Sequence, residues 1–185
     1  KNYQVGETVT LSMNNCRETA GAFFSESSDL AVEQVTVNYL HGFGWLTQMC
    51  RNVSFTGVDF HPDEQHHVSS FADCIHVCGC KGKVTIKDCS FTQAHDDAIN
   101  IHGAFLRFVR RVDDHTAVFQ FVHRQQGGYR AFFPGDTVRF YYRSSLQPCG
   151  EENTVAAVED DIDAKTCTLT FDRPLPTDID AKFRG

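Results

Sequence analysis

Long apolar runs are missing from this 185-residue sequence. None approaches the ~20 consecutive residues that a membrane-spanning helix requires. The opening stretch KNYQVGETVT also lacks the charged-then-apolar layout of a signal peptide, so the chain is expected to be soluble, with no membrane span. Basic residues are few: 17 Lys and Arg face 24 Asp and Glu, a formal charge of −7, and no basic cluster is interleaved with aromatics. Tracking a phosphate backbone needs such a patch, which argues against nucleic acid as a partner. The i, i+3, i+4, i+7 apolar spacing of an amphipathic helix nowhere persists over three turns between residues 1 and 103. Matched cysteine pairs are lacking too. Eight cysteines stand at positions 16, 50, 74, 78, 80, 89, 149 and 167, and Cys78-Gly-Cys80 is tighter than the CxxC of a zinc knuckle. No metal site is expected, and several of these cysteines read as small buried apolar residues.

What is present is the material of a folded domain: 41% hydrophobic residues, 16 Phe and no biased tract. Val, Ile, Thr and Phe are abundant, and short alternating apolar stretches suited to strands recur. Residues 35–42 read VTVNYLHG, residues 53–60 VSFTGVDF and residues 84–91 VTIKDCSF. A second register repeats at an offset of 24 residues: Asp73-Cys-Ile-His-Val-Cys-Gly79 matches Asp97-Ala-Ile-Asn-Ile-His-Gly103. Units of about two dozen residues holding two or three short strands, punctuated by Gly, Asn and Asp, fit the coils of a parallel β-helix. Equivalent residues on successive coils sit about 4.8 Å apart, so Asp73 is expected beside Asp97.

From about residue 104 the pattern changes. FLRFVRRV, TAVFQFVH, DTVRFYYR, NTVAAVED and TCTLTFD are longer strand candidates separated by turn signals. The fold class is therefore all-β, a partial parallel β-helix over 1–103 followed by an inserted small antiparallel β-barrel or sandwich over 104–176. Residues 177–185 are expected to return towards the β-helix.

The densest polar constellation is His95-Asp96-Asp97-Ala-Ile-Asn100-Ile-His102-Gly103, with Asp73 and His76 brought alongside by the repeat. Adjacent aspartates at the start of a strand repel each other and favour neither strand nor burial, so stability does not explain them. Three carboxylates on one face can hold a water between two of them and place a proton on the third, the apparatus of an inverting glycosidase. As coil equivalents, Asp73 and Asp97 are assigned as the base pair and Asp96, one residue out of register, as general acid, with an exchange of Asp96 and Asp97 left open. Inversion requires carboxyl groups roughly 6.5–9.5 Å apart, which a diagonal pair can meet. The competing readings are a calcium site, since clustered carboxylates suit hard cations, and a structural Asp or Asn ladder.

The stretch from Ala72-Asp-Cys-Ile-His76 through Cys80-Lys-Gly-Lys-Val-Thr to His95–Gly103 resembles glycoside hydrolase family 110, exo-acting α-1,3-galactosidases that remove terminal galactose from blood-group B or linear Galα1-3Gal structures. Gly42-Phe-Gly44, Gln48 and the switch to a barrel after Gly103 fit the same family. The resemblance implies a right-handed β-helix, an inverting mechanism, no required cofactor, a glycan with terminal α-galactose as substrate, and Asp73, Asp96 and Asp97 as the family's three acidic residues. Since such glycans are extracellular, it also implies a secreted, periplasmic or cell-surface location.

Around those carboxylates, His76 and Asn100 are repeat equivalents expected to face outward and bind galactose hydroxyls. His95, His102 and Gln48 are further substrate-binding candidates. Trp45, the only Trp, could stack on the sugar, its competing role being an aromatic stack between coils. The loop His61-Pro-Asp-Glu-Gln-His66-His67 reads as a solvated turn, and Asn52-Val-Ser54 is a glycosylation sequon by pattern. Two other functions compete. A polygalacturonase-like hydrolase would need basic side chains for an anionic polymer, and only Lys81, Lys83 and Arg107 lie nearby in sequence. A non-catalytic glycan- or calcium-binding β-helix would not need all three aspartates.

Overall fold

A computed structural model describes residues 3–9, 19–123 and 126–179. Its described residues form strands and turns with no helix among them, and the chain divides into two compact units, Lys1–Gly103 and Ala104–Gly185.

Among the described residues, ten strands of the first unit lie in three parallel sheets. Strands β1 (Ala20–Ser25), β4 (Phe43–Gln48), β7 (Ile75–Cys78) and β10 (Ile99–His102) form one sheet in that order. Strands β2 (Ser28–Glu33), β5 (Arg51–Thr56) and β8 (Lys81–Lys87) form a second, and β3 (Thr36–Val37), β6 (Asp59–Phe60) and β9 (Ser90–Phe91) a third. The chain visits the three sheets in the same order three times and then returns to the first.

Parallel register stacks equivalent residues in columns. Ala22, Trp45, Ile75 and Ile99 make one column, Leu30, Val53 and Val84 another, and Val37, Phe60 and Phe91 a third. Because alternate side chains share a face, these columns, apart from the exposed Ile99, meet in one apolar core, where Phe55 and Phe60 are fully buried. The corners are turned by left-handed residues: Glu26 (φ 49°), Met49 (φ 54°) and Gly79 (φ 63°) follow β1, β4 and β7. A non-glycine residue gives up about 1–2 kcal/mol in that conformation. The backbone hydrogen bonds gained between coils offset it: Glu26 N donates to Gln48 O at 3.1 Å, Met49 N to Cys78 O at 3.0 Å and Gly79 N to His102 O at 2.9 Å.

The three similar stretches do not share one sheet: VSFTGVDF and VTIKDCSF stack Val53 on Val84, whereas VTVNYLHG enters the third sheet, with Thr36 and Val37 paired to Asp59 and Phe60. The alternation looks alike in both places because a strand has a period of two whichever sheet it joins.

In the second unit, β11 (Leu106–Arg111), β12 (Thr116–Phe121), β13 (Thr137–Val138), β14 (Asn153–Asp161) and β15 (Thr166–Phe171) form one antiparallel sheet in the order β11-β12-β15-β14-β13. Phe108, Phe119, Phe140, Leu169, Phe171 and Ile179 pack its core. The strand expected over DTVRFYYR is shorter than its pattern. From Phe140 the backbone bonds to its own returning chain, Cys149 N donating to Phe140 O and Tyr142 N to Gln147 O, both at 2.9 Å. The expected return towards the first unit over 177–185 lies, from residue 180, outside the described residues.

Candidate active site

Two matching bends carry the carboxylates. Ser70 and Ala94 form a parallel bridge, each followed by a three-residue bend to Asp73 and Asp97, then by β7 and β10. Cys74 N donates to Asp97 O at 3.0 Å and Ile75 N to Ala98 O at 3.2 Å, so the 24-residue offset is the register of the fold. Asp73, Asp96 and Asp97 each present a carboxylate oxygen within 4.8 Å of the others. Asp73 is buried, whereas Asp96 and Asp97 are exposed. The nearest oxygens thus form a cluster tighter than the roughly 6.5–9.5 Å expected across a sugar. Such a cluster does not by itself make a cation site.

Asp73 is held from two sides. Gly44 N on β4 donates to Asp73 O at 3.0 Å, and a Cβ on Gly44 would fall on the Asp73 and Cys74 carbonyl oxygens, so only glycine lets β4 approach this closely. Ser70 Oγ donates to Asp73 O at 3.3 Å. On the carboxylate, Asp73 Oδ2 lies 2.6 Å from His76 Nδ1, and both side chains are largely sequestered, with relative exposures of 6% and 16%. His76 Nε2 lies 2.8 Å from His102 Nε2, and His102 Nδ1 donates to Gly103 O at 2.9 Å. Phe43 packs edge-on against the His76 ring at 5.3 Å. Burial raises the neighbouring Cys74 thiol above its ordinary range.

The remaining candidates separate. Asn100 is half-buried on β10 as the register partner of His76, and His95 is exposed with its ring edge-on to Phe71 at 5.0 Å. Gln48 shares the column of His102 but stands two strands away, on β4. Trp45 is 6% exposed, its ring 5.2 to 6.3 Å from those of Phe24, Phe55 and Phe60. It forms the stack between coils and is not offered to a ligand. Asn52 holds a corner, donating to Asp29 Oδ1 at 2.8 Å and accepting from Lys83 N at 3.2 Å. In the 61–67 loop, His66 and Asp63 pair at 2.6 Å, and that bond holds the Asp63 carboxyl below its usual range. Sequence reasoning missed the linked histidines and the notch at Gly44. The Asp-x-x-His spacing of Asp73 and His76 was the available signal for the first contact; the diagonal contact from β7 to β10 had none.

Fold and site together define an all-β protein in which stacked parallel strands align three aspartates at matching bends. Residues 116–182 match the family described as GLAA-B beta-barrel domain II. The chain is 33% identical over 181 residues, 96% of its length, to alpha-1,3-galactosidase A of Bacteroides fragilis, covering 29% of that protein. It is 34% identical over 167 residues, 86% of its length, to alpha-1,3-galactosidase B of Phocaeicola vulgatus, and 33% identical over 168 residues, 90% of its length, to alpha-1,3-galactosidase A of Akkermansia muciniphila, covering 28% of each. The chain belongs to glycoside hydrolase family 110, and it spans about three-tenths of the length of these curated relatives.

Proposed function

We propose that the protein carrying this chain is an inverting exo-α-galactosidase that hydrolyses terminal α-1,3-linked galactose, and that its first unit is part of a right-handed parallel β-helix. The observation that carries this reading is the convergence of Asp73, Asp96 and Asp97 within 4.8 Å in a chain related over most of its length to alpha-1,3-galactosidases. Asp73 and Asp97, on equivalent bends, activate the attacking water between them. Asp96, whose side chain is exposed, protonates the leaving glycosidic oxygen. Asn100 and His95 flank this centre and bind galactose hydroxyls. The reaction asks for no cofactor and no metal.

A neutral sugar suits the surroundings better than an anionic polymer. Lys81 and Lys83 are on β8, in a different sheet from the carboxylate-bearing strand ends, and Arg107 donates to Gln120 Oε1 in the second unit. The blood-group B and Galα1-3Gal glycans that such an enzyme takes are extracellular, so we place the protein outside the cytoplasm: secreted, periplasmic or at the cell surface.

The test is hydrolysis of Galα1-3Gal by the full-length protein and by Asp97→Asn. Turnover should fall at least ~10²-fold in the variant with the melting curve unchanged, as for loss of a general base. Near-normal turnover removes Asp97 from the mechanism. A dialysis series against a chelator should leave activity untouched; loss restored by calcium would favour a cation site instead.

A further inference from the structure

Three contacts in a row join Asp73 to a backbone carbonyl, through Asp73 Oδ2 to His76 Nδ1 at 2.6 Å, His76 Nε2 to His102 Nε2 at 2.8 Å and His102 Nδ1 to Gly103 O at 2.9 Å. Each is of hydrogen-bond length, and each requires one proton between its two heavy atoms. A carbonyl only accepts, so His102 Nδ1 carries a proton. The other two contacts need two more. An ionised aspartate brings no proton and a neutral imidazole brings one, so Asp73 as carboxylate with two neutral rings supplies two protons for three bonds.

We infer that the row Asp73–His76–His102 holds one proton beyond that count, and that His76 and His102 are positioning residues for Asp73 rather than ligands of the sugar. The extra proton sits on Asp73 as a carboxylic acid, on His76 as an imidazolium or on His102 as an imidazolium. In each case all three bonds are made and the row's charge is zero instead of −1. All four ring nitrogens are engaged, which leaves none for a galactose hydroxyl. Asp73 is fixed through Oδ2, and its other oxygen is left for the cluster with Asp96 and Asp97, where one charge fewer reduces the repulsion among three crowded carboxylates.

This inference rests on the glycosidase reading only for its kinetic consequences; the proton count stands on geometry. The titratable groups on segments packed against His76 are Asp73 before β7, His102 on β10, and Asp96 and Asp97 on the bend before β10. Strand β4 contributes apolar Phe43 and Leu46. With only two protons the contact between the two rings opens: His76 Nδ1 still donates to Asp73 Oδ2, but the His76 ring is no longer held by His102.

The direct experiment is NMR of the full-length protein at neutral pH, with ¹⁵N-labelled histidine and ¹³C-labelled aspartate. The expected result is His102 protonated at Nδ1 and three protons in the row, seen as one imidazolium or as a protonated Asp73 carboxyl. Two neutral rings beside an ionised Asp73, or His102 protonated at Nε2 alone, would overturn the inference.

A kinetic arm uses His102→Leu and His102→Gln. With leucine the row shortens to one bond that needs no extra proton. Turnover should drop about tenfold, as for loss of a group orienting a reactive one, and KM should stay within about twofold. Glutamine accepts from His76 and donates to Gly103, and should recover most of kcat. A tenfold rise in KM with kcat retained would make His102 a sugar ligand and sink the positioning role. If no α-galactoside is hydrolysed while the row counts three protons, the functional reading fails and the row stands. If hydrolysis proceeds with two, the row fails.

Discussion

Thr47 and Asp73 are buried polar side chains with opposite fates. Asp73 is held by His76 through its carboxylate and by Gly44 and Ser70 through its carbonyl, whereas the Thr47 hydroxyl, fully buried on β4, has no hydrogen-bond partner among the described residues. Replacing it with a methyl of the same shape removes an unmet desolvation cost, so Thr47→Val should raise stability by about 1 kcal/mol in chemical denaturation. A loss of that size would mean that the hydroxyl is satisfied. At this scale the aspartates were legible because their period is: an offset of 24 residues set Asp73 against Asp97 before any coordinates. The histidine row was not legible, since it joins β7 to β10 on a diagonal that repeat spacing does not encode. Trp45 had two candidate places in the sequence, and packing against Phe24, Phe55 and Phe60 decides for the core.

Strand β4 sets where Asp73 stands. Its Gly44 leaves room for the Asp73 and Cys74 carbonyls, so Gly44→Ala must push β4 and β7 apart at the bend that carries the carboxylate. We expect the variant to lose about 1–3 kcal/mol, as for overpacking, together with most of its activity; an unchanged midpoint and turnover would show that the strands separate freely. Phe55→Ala, on β5 with no exposed surface, should cost about 3–5 kcal/mol for the cavity it leaves, while KM for the folded fraction stays the same. Element identity was largely written in the alternating apolar residues: FLRFVRRV, TAVFQFVH, NTVAAVED and TCTLTFD all become strands. Sheet membership was not, because a two-residue period cannot tell a strand of the second sheet from one of the third. The truncation of β13 was hidden for a similar reason, since backbone pairing within 140–149 competes with a pattern that otherwise reads as strand.

At the scale of the molecule, most of the described cysteines are buried and none of them is in a disulfide, which keeps them inert up to about pH 9 and makes them a weakness above it. Burial pushes the Cys80 thiol from 9.0 up to about 11, and burial followed by the nearby Asp160 charge pushes Cys167 up to about 12. A group whose folded value is raised contributes stability below its unfolded value and loses it as pH climbs through the folded one. The melting temperature should therefore hold steady to about pH 9 and decline between 9 and 12, and Cys167→Ala should decline less steeply than the parent. A steeper fall in the variant would contradict the assignment.

An inverting hydrolysis run by three aspartates leaves its signature in the first anomer released, which a proton NMR time course of the full-length protein acting on Galα1-3Gal reads. β-Galactose should appear first, before mutarotation, and Asp96→Asn should give no product. α-Galactose appearing first, or undiminished hydrolysis by Asp96→Asn, would contradict this mechanism.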